Sequence, residues 1–329
     1  MAEKFREKIS RMLTADLHCD VLSSVKNGWT LINGRNSGHF DLPRMERGGI
    51  SCQVLSIFVH PRWIPEKLWW KKVNRQLAIL DDALKSASDR LRLTRTPQEW
   101  MENHSDGIKS VILEIEGLHP IEKNPDRLAQ LWDKGVRIFT LTWNNSNRFA
   151  HSSMDDQSKG ITPDGKEIVN QINQMGGIID ASHSSDRTFY DLLEMGISPM
   201  LSHSCVRELK DSSRNITLDM IEKLGQANGI IGINFFPGFL SSKKYKQVSL
   251  GDLIAHIDKV MEVSSEKVPA LGSDFDGVRA LPSEVHDAED FWKIAFFMHE
   301  NNYNSNVIEN VMGKNFFHFW KSRSNNGNI

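Results

Sequence analysis

His18 and Asp20, two residues apart in Thr-Ala-Asp-Leu-His-Cys-Asp-Val-Leu (14–22), are the first residues of this chain that could do chemistry. An extended chain turns residues two apart to the same face. Asp16, His18 and Asp20 are therefore expected on one side, and Leu17 and Cys19 on the other. Imidazole nitrogen beside carboxylate oxygen at a strand's end suits a divalent metal. The pair alone equally suits a hydrogen-bonded core histidine or a solvated turn.

Further ligands must come from elsewhere in the chain. Glu116 ends Val-Ile-Leu-Glu-Ile-Glu, His183 ends Ile-Ile-Asp-Ala-Ser-His, His203 ends Met-Leu-Ser-His, and Asp274 follows Leu-Gly-Ser. Singly, each histidine reads as a structural residue, Glu116 as a salt-bridged strand end, and Asp274-Phe-Asp276-Gly277 as a turn. Together they are harder to dismiss, because a carboxylate at a buried strand end is costly unless paired or bound to a cation. Six such groups make sense around two divalent ions, with one carboxylate bridging both. Two such ions share a hydroxide at neutral pH and polarise a carbonyl. A free carboxylate would orient that hydroxide and carry its proton. The other histidines show no shared pattern and read mostly as surface or supporting residues, and Asp16 as a strand-end partner.

The elements that must position these residues alternate along the chain. Strand-like runs cover 14–22, 51–59, 109–117, 137–143, 177–183, 199–204, 229–236 and 268–275. Several are nearly continuous apolar runs, as in strands buried on both faces of a parallel sheet. Helical patterns fall between them, at 66–86, from Pro97, and at 125–134, 164–175, 186–195, 218–228, 250–264 and 287–301, with two short C-terminal helices after. Ser185 and Thr217 stand where helix caps are needed. Eight strands, each followed by a helix, is the pattern of an α/β chain folded as a (β/α)8 TIM barrel. An open doubly wound sheet usually has a Gly-rich phosphate turn after its first strand, and none is present. The six candidate residues then fall at the C-terminal rim, where barrel chemistry is built. Segments 23–50 and 144–163 are insertions expected to hang over that rim.

Composition narrows the function. The 329 residues suit one barrel domain over 1–329, with a core at 13–321 and a frayed tail at 322–329. A net charge of −2 argues against a nucleic-acid binder. Three cysteines are too few for a disulfide framework and point to a reducing compartment. No signal peptide and no apolar run of membrane-spanning length is seen, so a cytoplasmic protein without membrane contact is expected.

These residues resemble the membrane (renal) dipeptidase family, peptidase family M19, among the amidohydrolase-like metallo-barrels. The resemblance runs over roughly 14–321. It is carried by Asp16-Leu-His18-Cys-Asp20, Glu114-Ile-Glu116-Gly117, Gly135-Val-Arg-Ile-Phe-Thr-Leu-Thr142, Ile179-Asp-Ala-Ser-His183-Ser-Ser-Asp186, Ser202-His203-Ser204, Arg214-Asn215 and Gly272-Ser-Asp274-Phe-Asp-Gly277. It implies a dipeptidase with two zinc ions per chain, other divalent metals also suiting the ligands. One zinc would be held by His18, Asp20 and Glu116, the other by Glu116, His183 and His203. Asp274 would bond the bridging hydroxide and shuttle its proton, with Glu116 and Asp274 as the catalytic carboxylates. Arg214 would bind the carboxylate of a small dipeptide substrate. A homodimer is also suggested. The chain departs from the mammalian pattern at Trp143, where a substrate-contacting His is expected, and at Phe236, where a Tyr is expected. Both would contact substrate, and both leave open a related amidohydrolase acting on another amide, ester or lactone. A metal-bound but catalytically inactive homologue is the remaining alternative. Cys19 is expected to pack in the core and not to bind metal.

Overall fold

The computed structural model describes residues 2–324. Nine strands form one parallel sheet: β1 (Ala15–Asp16), β2 (Cys52–Phe58), β3 (Leu91–Leu93), β4 (Lys109–Glu116), β5 (Val136–Thr140), β6 (Ile178–Asp180), β7 (Met200–Ser204), β8 (Ile230–Asn234) and β9 (Pro269–Gly272). Eight of them follow one another in the order β1-β2-β4-β5-β6-β7-β8-β9, while β3 lies off this path against β4. The residues after β1 close the ring. Leu17 N–H donates to Leu271 O at 2.9 Å and Asp20 N–H to Phe275 O at 2.8 Å, so the chain is the expected α/β barrel, nearly closed. β3 was not anticipated: three residues are too short to show a strand period.

The helices between strands start where their caps predict. The Ser185 side chain accepts from Thr188 N–H, and Thr217 from Met220 N–H. The expected 66–86 helix is a short 3₁₀ turn, Glu66–Leu68, followed by Trp69–Ser86. A helix at Ala2–Ser10 lies before the expected core boundary, and Ile9 on it is fully buried. Of the expected frayed tail, Ser322–Ser324 continue the helix Asn315–Ser324, and 325–329 fall outside the described residues. Among the described residues, no helix is long and apolar enough to cross a membrane.

One apolar cluster takes residues from every strand of the ring: Ala15, Cys52, Val54, Ile112, Ile138, Ile178, Met200, Ile230 and Ala270. Side chains from all eight strands can meet only in the lumen. Trp100, Phe316, Phe319 and Trp320 join this cluster and close its N-terminal end. Leu17 belongs to it, whereas Cys19 packs in the outer core. The strict alternation expected along 16–20 therefore breaks after β1. Leu17 and Cys19 do not share a side, and Asp16 turns to Gln53 and Ser273, at 2.8 and 2.6 Å.

Candidate metal centre

Alternation along the strands builds the lumen in layers. Ile112, Ile138 and Ile178 form part of the apolar floor. Two residues further on stand Glu114, Thr140 and Asp180, all fully buried. Four residues beyond Ile112 and Ile230 stand Glu116 and Asn234, at the open C-terminal end. A polar layer thus separates the floor from the rim.

Glu116 is the centre of the rim. His183 Nε2 lies 3.0 Å and His203 Nε2 3.9 Å from its Oε1, and His18 Nε2 3.9 Å from its Oε2. Asp20 Oδ2 is 3.3 Å from His18 Nε2. The candidate ligand atoms of His18, Glu116 and His203 lie within 4.8 Å of one another, as do those of His18, Asp20 and Asp274. His18 is common to both groups, and its ring stacks on His203 at 3.8 Å between centroids.

The three imidazoles face this space with the same nitrogen. Nδ1 of His18 is 2.7 Å from Glu114 Oε2, Nδ1 of His183 is 2.8 Å from Asn144 Oδ1, and Nδ1 of His203 is 2.7 Å from Ser202 Oγ. Each oxygen accepts a hydrogen from Nδ1, which leaves the Nε2 lone pair for the rim. His183 Nε2 and His203 Nε2 consequently face one another at 2.9 Å, lone pair to lone pair. Asp20 Oδ1 is buried without a hydrogen-bond partner. Facing lone pairs and an orphaned carboxylate oxygen are what a divalent cation would satisfy, and nitrogen with oxygen is its usual donor set.

Electrostatics point the same way. Burial, with the Asp20 charge, pushes the Glu116 carboxyl well above the usual range. Burial lifts Asp274 to about 6 and Glu114 to about 7. Burial lowers His183 and His203 well below the ordinary imidazole value, and the nearby Arg214 charge adds to this. The backbone is also held in an uncommon state. His183 has φ 65° and Asp274 φ 60°, left-handed conformations that residues with a Cβ seldom adopt.

A cavity of about 610 Å³ opens over the centre. It is lined by Asp20, Glu116, His183, His203 and Asp274, and also by Arg214, Trp143 and Phe236. His18 is completely buried beneath it. Asn234 Nδ2 donates to Asp274 Oδ2 at 2.9 Å. Arg214 is buried, gives one Nη2 hydrogen to His203 O at 3.1 Å, and lies 5.6 Å from the Phe239 ring. Phe58, His60, Trp63 and Trp143 form an aromatic side to the cavity, with His60 and Trp63 stacked at 4.0 Å.

Several residues here escaped the sequence reading. His60 lines the cavity, and His119 and His256 are buried in the core. Glu114, Thr140, Asp180 and Ser202 form the polar layer; counting in twos from Ile112, Ile138 and Ile178 is the signal that could have placed the first three. The same count from Ile230 reaches Asn234, whereas Asn144 carries no comparable signal.

Comparison with known proteins agrees with this architecture. The chain is 27% identical over 305 residues to an uncharacterized dipeptidase of Schizosaccharomyces pombe, covering 88% of this chain and 74% of that one. It is 27% identical over 292 residues to the dipeptidase tcpJ of Claviceps purpurea, covering 85% and 68%. A Rhodobacter sphaeroides metallo peptidase, solved with a phosphinate mimic of the dipeptide L-Ala-D-Ala, superposes with a TM-score of 0.88 at 22% identity, over 94% of this chain and 99% of that one. The probable dipeptidase PvdM of Pseudomonas aeruginosa superposes with a TM-score of 0.89 at 18% identity, over 98% of each. The model of the membrane dipeptidase family, peptidase family M19, matches residues 2–328, and the chain belongs to that family.

Proposed function

We propose that this chain hydrolyses dipeptides at two divalent ions, zinc suiting the ligands best, held by His18, Asp20, Glu116, His183 and His203. The observation that carries the reading is the convergence of three Nε2 atoms on Glu116 with every Nδ1 engaged behind them. Bound there, the ions would acidify a water and polarise the scissile carbonyl.

The chain's own groups supply the rest. Arg214 takes the substrate's terminal carboxylate, its guanidinium buried where water competes weakly. That fixes the peptide bond over Glu116, between Trp143 and Phe236. The Asp274 carboxylate, held at Oδ2 by Asn234, accepts the proton of the attacking water and returns it to the leaving amine. Its raised value, about 6, suits a group that both takes and gives a proton near neutrality.

The test is hydrolysis of a dipeptide panel by metal-loaded protein, with D-residues included at the C-terminal position, beside elemental analysis. About two metal equivalents with turnover of at least one dipeptide supports the reading. Full loading with no turnover of any dipeptide rejects it. The aromatic side of the cavity, with Trp143 and Phe236, favours one second reading: hydrolysis of another amide, ester or lactone. Profiling those substrates separates the two.

A further inference from the structure

Glu114 is fully buried, lies beneath the centre, and is not one of the rim residues. Its two oxygens face in different directions. Oε2 meets His18 Nδ1 at 2.7 Å, and Oε1 meets Thr140 Oγ1 at 2.6 Å. Thr140 Oγ1 is 2.8 Å from Asp180 Oδ2, which is 2.7 Å from Ser202 Oγ. Ser202 Oγ is in turn 2.7 Å from His203 Nδ1. One unbroken chain of short contacts therefore joins the rear nitrogens of two histidines that stack on each other.

We propose that Glu114 is a positioning residue: with Thr140, Asp180 and Ser202 it forms a buried chain that fixes His18 and His203 with Nδ1–H at the rear and Nε2 toward the metal centre.

The donors can be assigned. His18 Nδ1–H donates to Glu114 Oε2, the Thr140 hydroxyl lies between Glu114 Oε1 and Asp180 Oδ2, the Ser202 hydroxyl donates to Asp180 Oδ2, and His203 Nδ1–H donates to Ser202 Oγ. Asp180 is held in turn, accepting Ser182 N–H and Ser202 N–H at 2.9 Å each on Oδ1. Reversing the His203 end would require Ser202 to donate to it and abandon Asp180. Because the chain is buried, each broken link would leave an unpartnered polar atom.

This inference rests on the metal-site reading, and the experiment separates the two. Glutamine at 114 keeps the shape of the side chain, with an oxygen for His18 and an N–H that can reach Thr140. Leucine has a similar volume and neither group. Co(II) affinity is measured by chelator competition, and the visible Co(II) spectrum is recorded, for the wild type, Glu114→Gln and Glu114→Leu. Wild-type protein that binds no Co(II) overturns the metal site itself. With wild-type binding established, Glu114→Gln is expected to stay within a factor of a few, with an unchanged spectrum. Glu114→Leu is expected to bind about 10–100-fold more weakly, with a shifted spectrum. Wild-type affinity in Glu114→Leu, or an equal loss in Glu114→Gln, overturns the proposal. Should Glu114→Leu not fold, the zinc-loaded wild type decides. A slowly exchanging His18 Nδ1–H resonance that Glu114→Gln shifts without abolishing supports the chain, and its absence overturns it.

Discussion

The carboxylates of Asp20 and Asp274 meet over Gly277. A Cβ placed on Gly277 would lie 2.3 Å from Asp20 Oδ2 and 2.2 Å from Asp274 Oδ1. The absence of a side chain there lets two ionisable groups share one corner of the cavity. Gly277→Ala must push one or both aside. Misplacing a catalytic group by about 1 Å costs on the order of 100-fold. We expect dipeptide kcat/KM to fall about 100-fold in Gly277→Ala, with a far-ultraviolet spectrum like the wild type. Activity within a factor of two of wild type would show that the carboxylates are not held in one working geometry.

Arg214 offers a narrower test. Its guanidinium is buried, with one hydrogen given to His203 O. Arg214→Lys keeps the charge and loses the planar fork. A charge-assisted bond contributes about 1.5–3 kcal/mol, so kcat/KM for a free dipeptide should fall about 10- to 150-fold. The same dipeptide capped as a C-terminal amide, which has no carboxylate to lose, should be affected far less. Equal losses on both substrates would mean that Arg214 does not read the terminal carboxylate.

The barrel was legible because its strands carry long apolar runs separated by capped helices, and no competing local signal was present. The rim residues were legible for a related reason: each ends such a run. What stayed hidden was set by tertiary geometry. Glu114 lies on the lumen face between Ile112 and Glu116, and its role depends on Thr140 and Ser202 from neighbouring strands. Asn144 follows the fourth strand of the sequence reading, in an irregular segment, and reaches His183 only through the fold. The break in alternation between Leu17 and His18 arises from pairing with Leu271–Phe275, some 250 residues away, and no local pattern reports it.

His119 is a buried histidine kept neutral. Its Nε2–H donates to Val59 O at 2.8 Å, its Nδ1 has no partner, and burial lowers its value to about 4. The unfolded chain takes up this proton near pH 6.5 and the folded chain only near 4, so the unfolded state binds more protons between them. Stability from this group is complete above about pH 6.5 and is lost as pH falls toward 4. At pH 5 the loss is about 2 kcal/mol. His119→Gln keeps an N–H for Val59 and cannot titrate. Urea unfolding at pH 7 and pH 5 should therefore show a drop smaller by about 2 kcal/mol in His119→Gln than in wild type. Parallel drops in the two proteins would place the acid sensitivity elsewhere.

Removing metal should unmask the strain at the rim. Without a cation, Asp20, Glu116 and Asp274 crowd one buried space, and burial raises Asp274 to about 6 from its ordinary 3.8. A carboxyl raised in the folded state favours folding at low pH, and that stability is lost as pH rises from about 4 through 6. Metal binding runs the other way, since its ligands must be deprotonated and affinity climbs with pH. Metal at about 1,000 times its Kd adds about 4 kcal/mol to folding stability. The Tm of the loaded protein should therefore exceed that of chelator-treated protein, by more at pH 7 than at pH 5. Thermal unfolding at both pH values, with and without chelator, makes the comparison. A gap that is absent, or that narrows as pH rises, would mean that these carboxylates are not gathered to hold a cation.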